Sequence, residues 1–213
     1  MSRLSTGTRK RRNYHHGDLK NALIAAGLDI LSKEGVGALS LRSVAQKVGV
    51  SHAAPYAHFV DKQALIAAIS TEGYERLYSA IRAAVDRHAR DPAGQLVEGA
   101  WAYVSFALDD PDHFKVTMSG VVEKEQDYPA FVEVSKKSFA LVVSIVEACQ
   151  SNGVLPKGSP DLVAVGVWSL MHGLVSLLLE NQIPRTLVDR MPVRTMLVAT
   201  LSQVAHLEPP LTA

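Results

Sequence analysis

The stretch from Ser40 to Lys62 reads SLRSVAQKVGVSHAAPYAHFVDK, and it constrains the fold more than any other part of the chain. Ser40 stands before a short apolar-periodic run, Leu41, Val44, Ala45 and Val48, and so predicts a helix with a serine cap. Gly49 ends that run with a residue that accepts the turn conformation a side chain resists. Ser51 then caps a second short helix ending near Phe59. Ala45 is small enough for the two helices to approach closely. Val44, Val48, Val50, Pro55 and Phe59 can share one small core with a preceding helix. This is the spacing of a helix-turn-helix. A helical hairpin with no nucleic-acid role fits the same spacing.

The remainder of the chain reads as helix as well. Period-2 alternation is not sustained anywhere, and runs of β-branched residues are short. Asp18 is placed to cap a first helix reaching Glu34, with Leu19, Leu23, Ala26 and Ile30 as its apolar stripe. Asp61 caps a long helix to about Arg87. Further helices are expected over 93–109, from Pro111 to about Ser119, from Pro129 to Asn152, from Pro160 to about Asn181, and from about Val188 to His206. Pro192 falls near the first turn of the last one, where proline is tolerated. The expectation is an all-α fold of about nine helices, with residues 1–17 as a flexible basic arm and 208–213 as a frayed tail.

The net charge of +1 conceals an asymmetry. Residues 1–62 hold ten Lys/Arg against four Asp/Glu, whereas residues 91–213 hold eight against fourteen. A basic end on an otherwise acidic protein suits a local polyanion-binding face, although ordinary solvated charge fits too. On the second short helix, Ser51, His52 and Tyr56 offer hydrogen-bonding heads, while Ala53 and Ala57 can touch a thymine methyl. Arg42, Tyr56, His58 and Lys62 are placed for backbone phosphates, which fix register without reading sequence. The run Arg9-Lys10-Arg11-Arg12 can add charge or enter a minor groove.

Residues 19–66 resemble the TetR (tetracycline-repressor-like) family of bacterial regulators. The resemblance rests on Ala45, Gly49-Val50-Ser51, Tyr56, His58-Phe59, Lys62 and Leu65. The opening YHHGDL and the later Trp168-x-x-x-His172-Gly173 resemble a subgroup of these regulators. Two positions depart from the family pattern. Ala57 stands where a bulky basic or polar residue is frequent, and Pro55 replaces a more usual aliphatic, removing an early backbone hydrogen bond. The resemblance implies double-stranded DNA as partner for residues 18–62. For residues 63–207 it implies an effector-binding and dimerisation domain, so the whole is expected to act as a ligand-responsive repressor on a pseudo-palindromic operator.

Residues 162–179 are apolar nearly all round, which demands burial on more than one side. A membrane span is the rival, since about 18 apolar residues approach the necessary length. His172 mid-helix and the absence of Lys/Arg clusters at its ends favour a helix that faces a small-molecule pocket on one side and a second copy on the other. The last helix is expected to join it in a homodimeric four-helix bundle. Trp101, Phe106, Phe114, Met118, Phe131, Trp168 and His172 are the pocket candidates. Each of the apolar ones fits a plain core role as well, and His172 needs a polar partner from protein or ligand.

Catalytic constellations are not evident. Asp109-Asp110 and the isolated histidines lack nucleophile-base or metal spacing, and there is neither a Gly-rich phosphate loop nor an HExxH. No metal or cofactor is expected. A DNA-bending protein with little sequence preference is a further reading, disfavoured by the large acidic second part. The single cysteine, Cys149, and the lack of an apolar leader point to the cytoplasm, without a membrane.

Overall fold

The computed structural model describes residues 16–207, and all regular structure among them is helical. Nine α-helices follow in order: α1 (His16–Glu34), α2 (Leu41–Val48), α3 (Lys62–Asp86), α4 (Pro92–Asp109), α5 (Pro111–Met118), α6 (Pro129–Ser151), α7 (Pro160–Leu179), α8 (Arg185–Val188) and α9 (Val193–Leu201). Short 3₁₀ turns occur at Ala54–Ala57 and Glu125–Asp127. The arm with its Arg9–Arg12 cluster and the tail 208–213 lie outside the described residues.

Local chemistry sets most boundaries. Ser40 and Ser43 form a reciprocal capping box at the start of α2. Gly49 ends it at φ 78°, and the amides of Gly49 and Val50 both reach the Ala45 carbonyl at 3.0 Å. The Asp61 carboxylate accepts the Ala64 amide at 2.8 Å and starts α3. Asp91 and Asp110 do the same for α4 and α5.

Three boundaries differ from expectation. Helix α1 begins at His16, two residues before Asp18, a scatter usual at helix ends. The second helix of the turn motif is not an α-helix capped by Ser51 but the 3₁₀ turn Ala54–Ala57. Pro55 has no N–H to return to the Ser51 carbonyl, so the Ala54 amide takes it instead at 3.0 Å and the turn tightens. The expected last helix from about Val188 to His206 is only α9, Val193–Leu201, and a separate short α8 ends at Val188. Pro192 keeps Met191 out of the helical region, so the chain restarts at Val193.

Two apolar cores share α3. The first joins Leu23, Ile30, Val44 and Phe59 to Leu65, Ile66 and Ile69, and continues into Val116 and Phe131. The second gathers Leu77, Ile81 and Val85 with α4, α6, α7 and α9. Helix α3 starts at Lys62, and the first core runs on along it through Ile69. Between the two cores, α5 crosses α3 at Gly73. A Cβ there would stand 1.9 Å from Thr117 Oγ1 and 3.1 Å from Thr117 Cβ. His113, 1% exposed, places Nε2 3.0 Å from the Ile69 carbonyl and Nδ1 2.7 Å from Arg76. Arg76 also bonds Asp110 at 2.7 Å. Nε2 therefore donates to the carbonyl, and Nδ1 accepts from the guanidinium.

Gly73→Ala tests this crossing because helix propensity and packing give opposite signs. Propensity alone would stabilise by about 1 kcal/mol, whereas overpacking a short β-branched neighbour costs about 1–3 kcal/mol. Urea unfolding should show net destabilisation, partly reversed in Gly73→Ala/Thr117→Ala.

The network also has a pH signature. Partial burial raises the Asp110 carboxyl, but hydrogen bonds from Arg76 and the His113 amide, with the Arg76 charge, bring it net below its ordinary 3.8. A depressed folded value contributes stability fully above 3.8, and this is lost as pH falls through the lower value. Asp110→Asn should be less stable at pH 7 and show a flatter stability profile across that acid window.

Candidate functional site

The turn between α2 and α3 presents a polar outward face. Arg42, Ser51, His52, Ala53, Tyr56 and Ala57 are all exposed, with Tyr56 at 57%. Ser40, Gly49 and Asp61 fix the backbone on either side, while Pro55 and Phe59 are buried and anchor the turn from beneath. The backbone that carries this face is thereby fixed at both ends, and its amides at Ala54, Tyr56, His58 and Phe59 are bonded within the turn. Two expected members behave differently. His58 is half-buried and its Nε2 lies covered. Lys62 is half-buried, and its ammonium donates to the Val36 carbonyl at 3.4 Å, tying the α1–α2 connection to α3. Val60, 81% exposed beside the turn, was not foreseen; an apolar side chain there carries no sequence signal.

A cavity of about 570 Å³ lies in the second core, walled mainly by α3, α4, α6 and α7. Of the seven sequence candidates, Met118, Phe131 and Trp168 line it. Trp101 and Phe106 instead border a shallow groove between α3 and α4. Trp101 lies under the Arg194 guanidinium, and Phe106 packs on Phe114 and His113. Phe114 is plain core, edge-on to Tyr103. His172 sits behind the wall rather than on it.

The residue that organises this wall is Tyr103, which the sequence reading did not single out. Its hydroxyl accepts the Trp168 indole N–H at 3.2 Å and lies 2.9 Å from His172 Nδ1. Burial pushes this phenol far above its ordinary value, against a smaller opposing effect of the Trp168 bond, so it stays protonated. The hydroxyl and His172 Nδ1 thus share one hydrogen bond, whose direction follows the histidine tautomer. Spacing explains the pair: residues four apart on α7 share a face, so Trp168 and His172 reach one hydroxyl on α4. The polar ring on an apolar helix thus has a protein partner.

Known proteins share the sequence pattern and the fold of this chain. Residues 23–69 match the family model described as bacterial regulatory proteins, tetR family, and residues 96–201 match the tetracyclin repressor-like C-terminal domain. The chain is 25% identical over 169 residues to YobS of Bacillus subtilis (strain 168), named as an uncharacterized HTH-type transcriptional regulator, covering 79% of this chain and 83% of that one. A solved protein of unknown function from Rhodococcus sp. RHA1 is 31% identical, with TM-score 0.73, covering 92% of this chain and all of its own. A tetR-family regulatory protein from Rhodococcus RHA1 has the same fold at 22% identity and TM-score 0.72, covering 89% and 98%.

Tyr103→Phe removes one oxygen and leaves two polar atoms without their partner. Destabilisation of about 1–2 kcal/mol is expected, measured by urea unfolding and accompanied by a changed Trp168 emission. Trp101 emission, away from the cavity, should be unaltered.

Proposed function

The chain belongs to the TetR family of bacterial transcription regulators, and from that premise we propose that it is a ligand-responsive repressor that binds a pseudo-palindromic operator as a homodimer in the cytoplasm. The observation that carries this reading is the pairing of an outward polar turn with an apolar cavity whose walls include α3, the helix that begins at that turn. Arg42 and the Tyr56 hydroxyl suit phosphate contacts, and Ser51, His52, Ala53 and Ala57 suit base edges and thymine methyls.

The dimer is supported by α7. Leu162 is 74% exposed, and Val165, Trp168 and Leu177 are also exposed on a helix of mean hydropathy 2.0. Length and composition alone would let this helix cross a membrane. Its other side, through Ala164, Val167, Met171, Leu174 and Val175, is firmly in the core and packs with α9. A second copy covering the bare side builds a two-fold bundle and sets two reading turns on two half-sites.

Selection from random duplexes at moderate salt should yield a two-fold symmetric site; recovery of no preferred sequence would sink the proposal. Arg42→Ala should reduce the salt slope by about 1, and Tyr56→Phe should weaken binding to all sequences alike. His52→Ala should relax preference at one position of each half-site. Leu162→Glu should yield a monomer in light scattering, with operator affinity falling.

A further inference from the structure

The cavity has an apolar interior, and the charged residues of its lining are mostly of one sign. Glu125, Glu147 and Asp161 contribute to its lining, against Lys136 as its single cation. Among the described residues, none of these four makes an ion pair. Two aromatic pairs also line the space: Tyr74 with Phe131 edge-on at 5.8 Å, and Phe139 with Trp168 tilted at 6.4 Å. The carboxylate field reaches the wall. Burial raises the Tyr74 phenol above its ordinary value, and the Glu125 charge raises it further.

Three unpaired carboxylates repel an incoming anion and attract a cation, and the aromatic rings of the lining are the side-chain type on which a cationic head stacks. The inner wall offers no opposing cation. Leu77, Ile81, Ala100, Val167 and Met171 are apolar, Ser138 spends its hydroxyl on the Val134 carbonyl, and the Tyr103 hydroxyl is already engaged by Trp168 and His172. We infer that the effector is a lipophilic cation, an apolar body held between α3, α4, α6 and α7 with an ammonium-type head beside one of the carboxylates of the lining. This rests on the reading of the cavity as the effector site.

Three probes with one ten-carbon chain and different heads decide it: decyltrimethylammonium, 1-decanol and decanoate. Each is titrated into the full chain by calorimetry at low salt and below its micelle concentration. The cation is expected to bind tightest and decanoate weakest, at least tenfold apart, with the gap narrowing as salt rises. Glu125→Gln/Asp161→Asn should lower the cation's affinity by about two- to fivefold overall, the range of an exposed charge pair, and should improve decanoate. Both positions are exposed, so folding is not at stake. Decanoate binding as tightly as the cation, equal affinity for all three, or no binding by any of them would overturn the inference. Operator binding by the same preparation without probe is measured alongside. Its absence would tell against the regulator reading, while the order of the three affinities still decides the ligand's charge.

Discussion

Helix α5 lies against α3 where α3 has no side chain, and both halves of the molecule depend on that contact. In an α-helix the carbonyl of residue 69 bonds the amide of residue 73. With glycine at 73, the same carbonyl is open from the side, and His113 takes it as a second acceptor interaction. Arg76 and Asp110 then hold the other face of the imidazole. One missing Cβ thus permits close approach, exposes an acceptor and lets a buried ring be satisfied at both nitrogens. The burial of Val116 in the first core and Phe114 in the second follows, since α5 must supply a side chain to each.

The local elements were legible because their causes are local. Ser40, Gly49 and Asp61 set their boundaries through bonds to residues three to five away, and the sequence carries those spacings directly. Pro55 was visible as a defect, but its outcome, a 3₁₀ turn in place of an α-turn, depends on how Phe59 and Pro55 together seat in the core. Pro192 was misjudged for a related reason. Proline is compatible with a first turn, and nothing in the sequence says whether the turn before it continues the helix or belongs to another.

The site was legible where one helix face decides it and opaque where two helices meet. The four-residue spacing of Trp168 and His172 declared a shared face, yet their common partner, Tyr103, comes from α4 and is one apolar-periodic aromatic among several. In the same way Trp101, Phe106 and Phe114 carry the chemistry of a pocket wall but are turned elsewhere by the packing of α4 and α5. His58 and Lys62 have the chemistry of phosphate contacts, and the lysine also bonds the α1–α2 connection, a partner that the sequence does not announce. Residue type fixes what a side chain can bond, while its direction is a tertiary outcome.

These contacts also explain how a small ligand could act at a distance without a separate relay. The cavity wall includes Leu77 and Ile81 of α3, about one and two turns beyond Gly73, and Met118 of α5, next to Thr117 at the crossing. From Gly73 to Lys62 is eleven residues, a lever of about 16 Å. A tilt of α3 by about 5° around the crossing therefore moves the start of the reading turn by about 1.5 Å, comparable to the helix shifts that switch other two-state proteins. Moving such an equilibrium from one extreme to the other requires about 5.5 kcal/mol of differential binding. An apolar ligand supplies that only if it contacts the wall better in one tilt than in the other. Because α3 and α5 are both wall and fulcrum, filling the cavity bears on the crossing itself, and the tightness at Gly73 makes a discrete repacking cheaper than a gradual one.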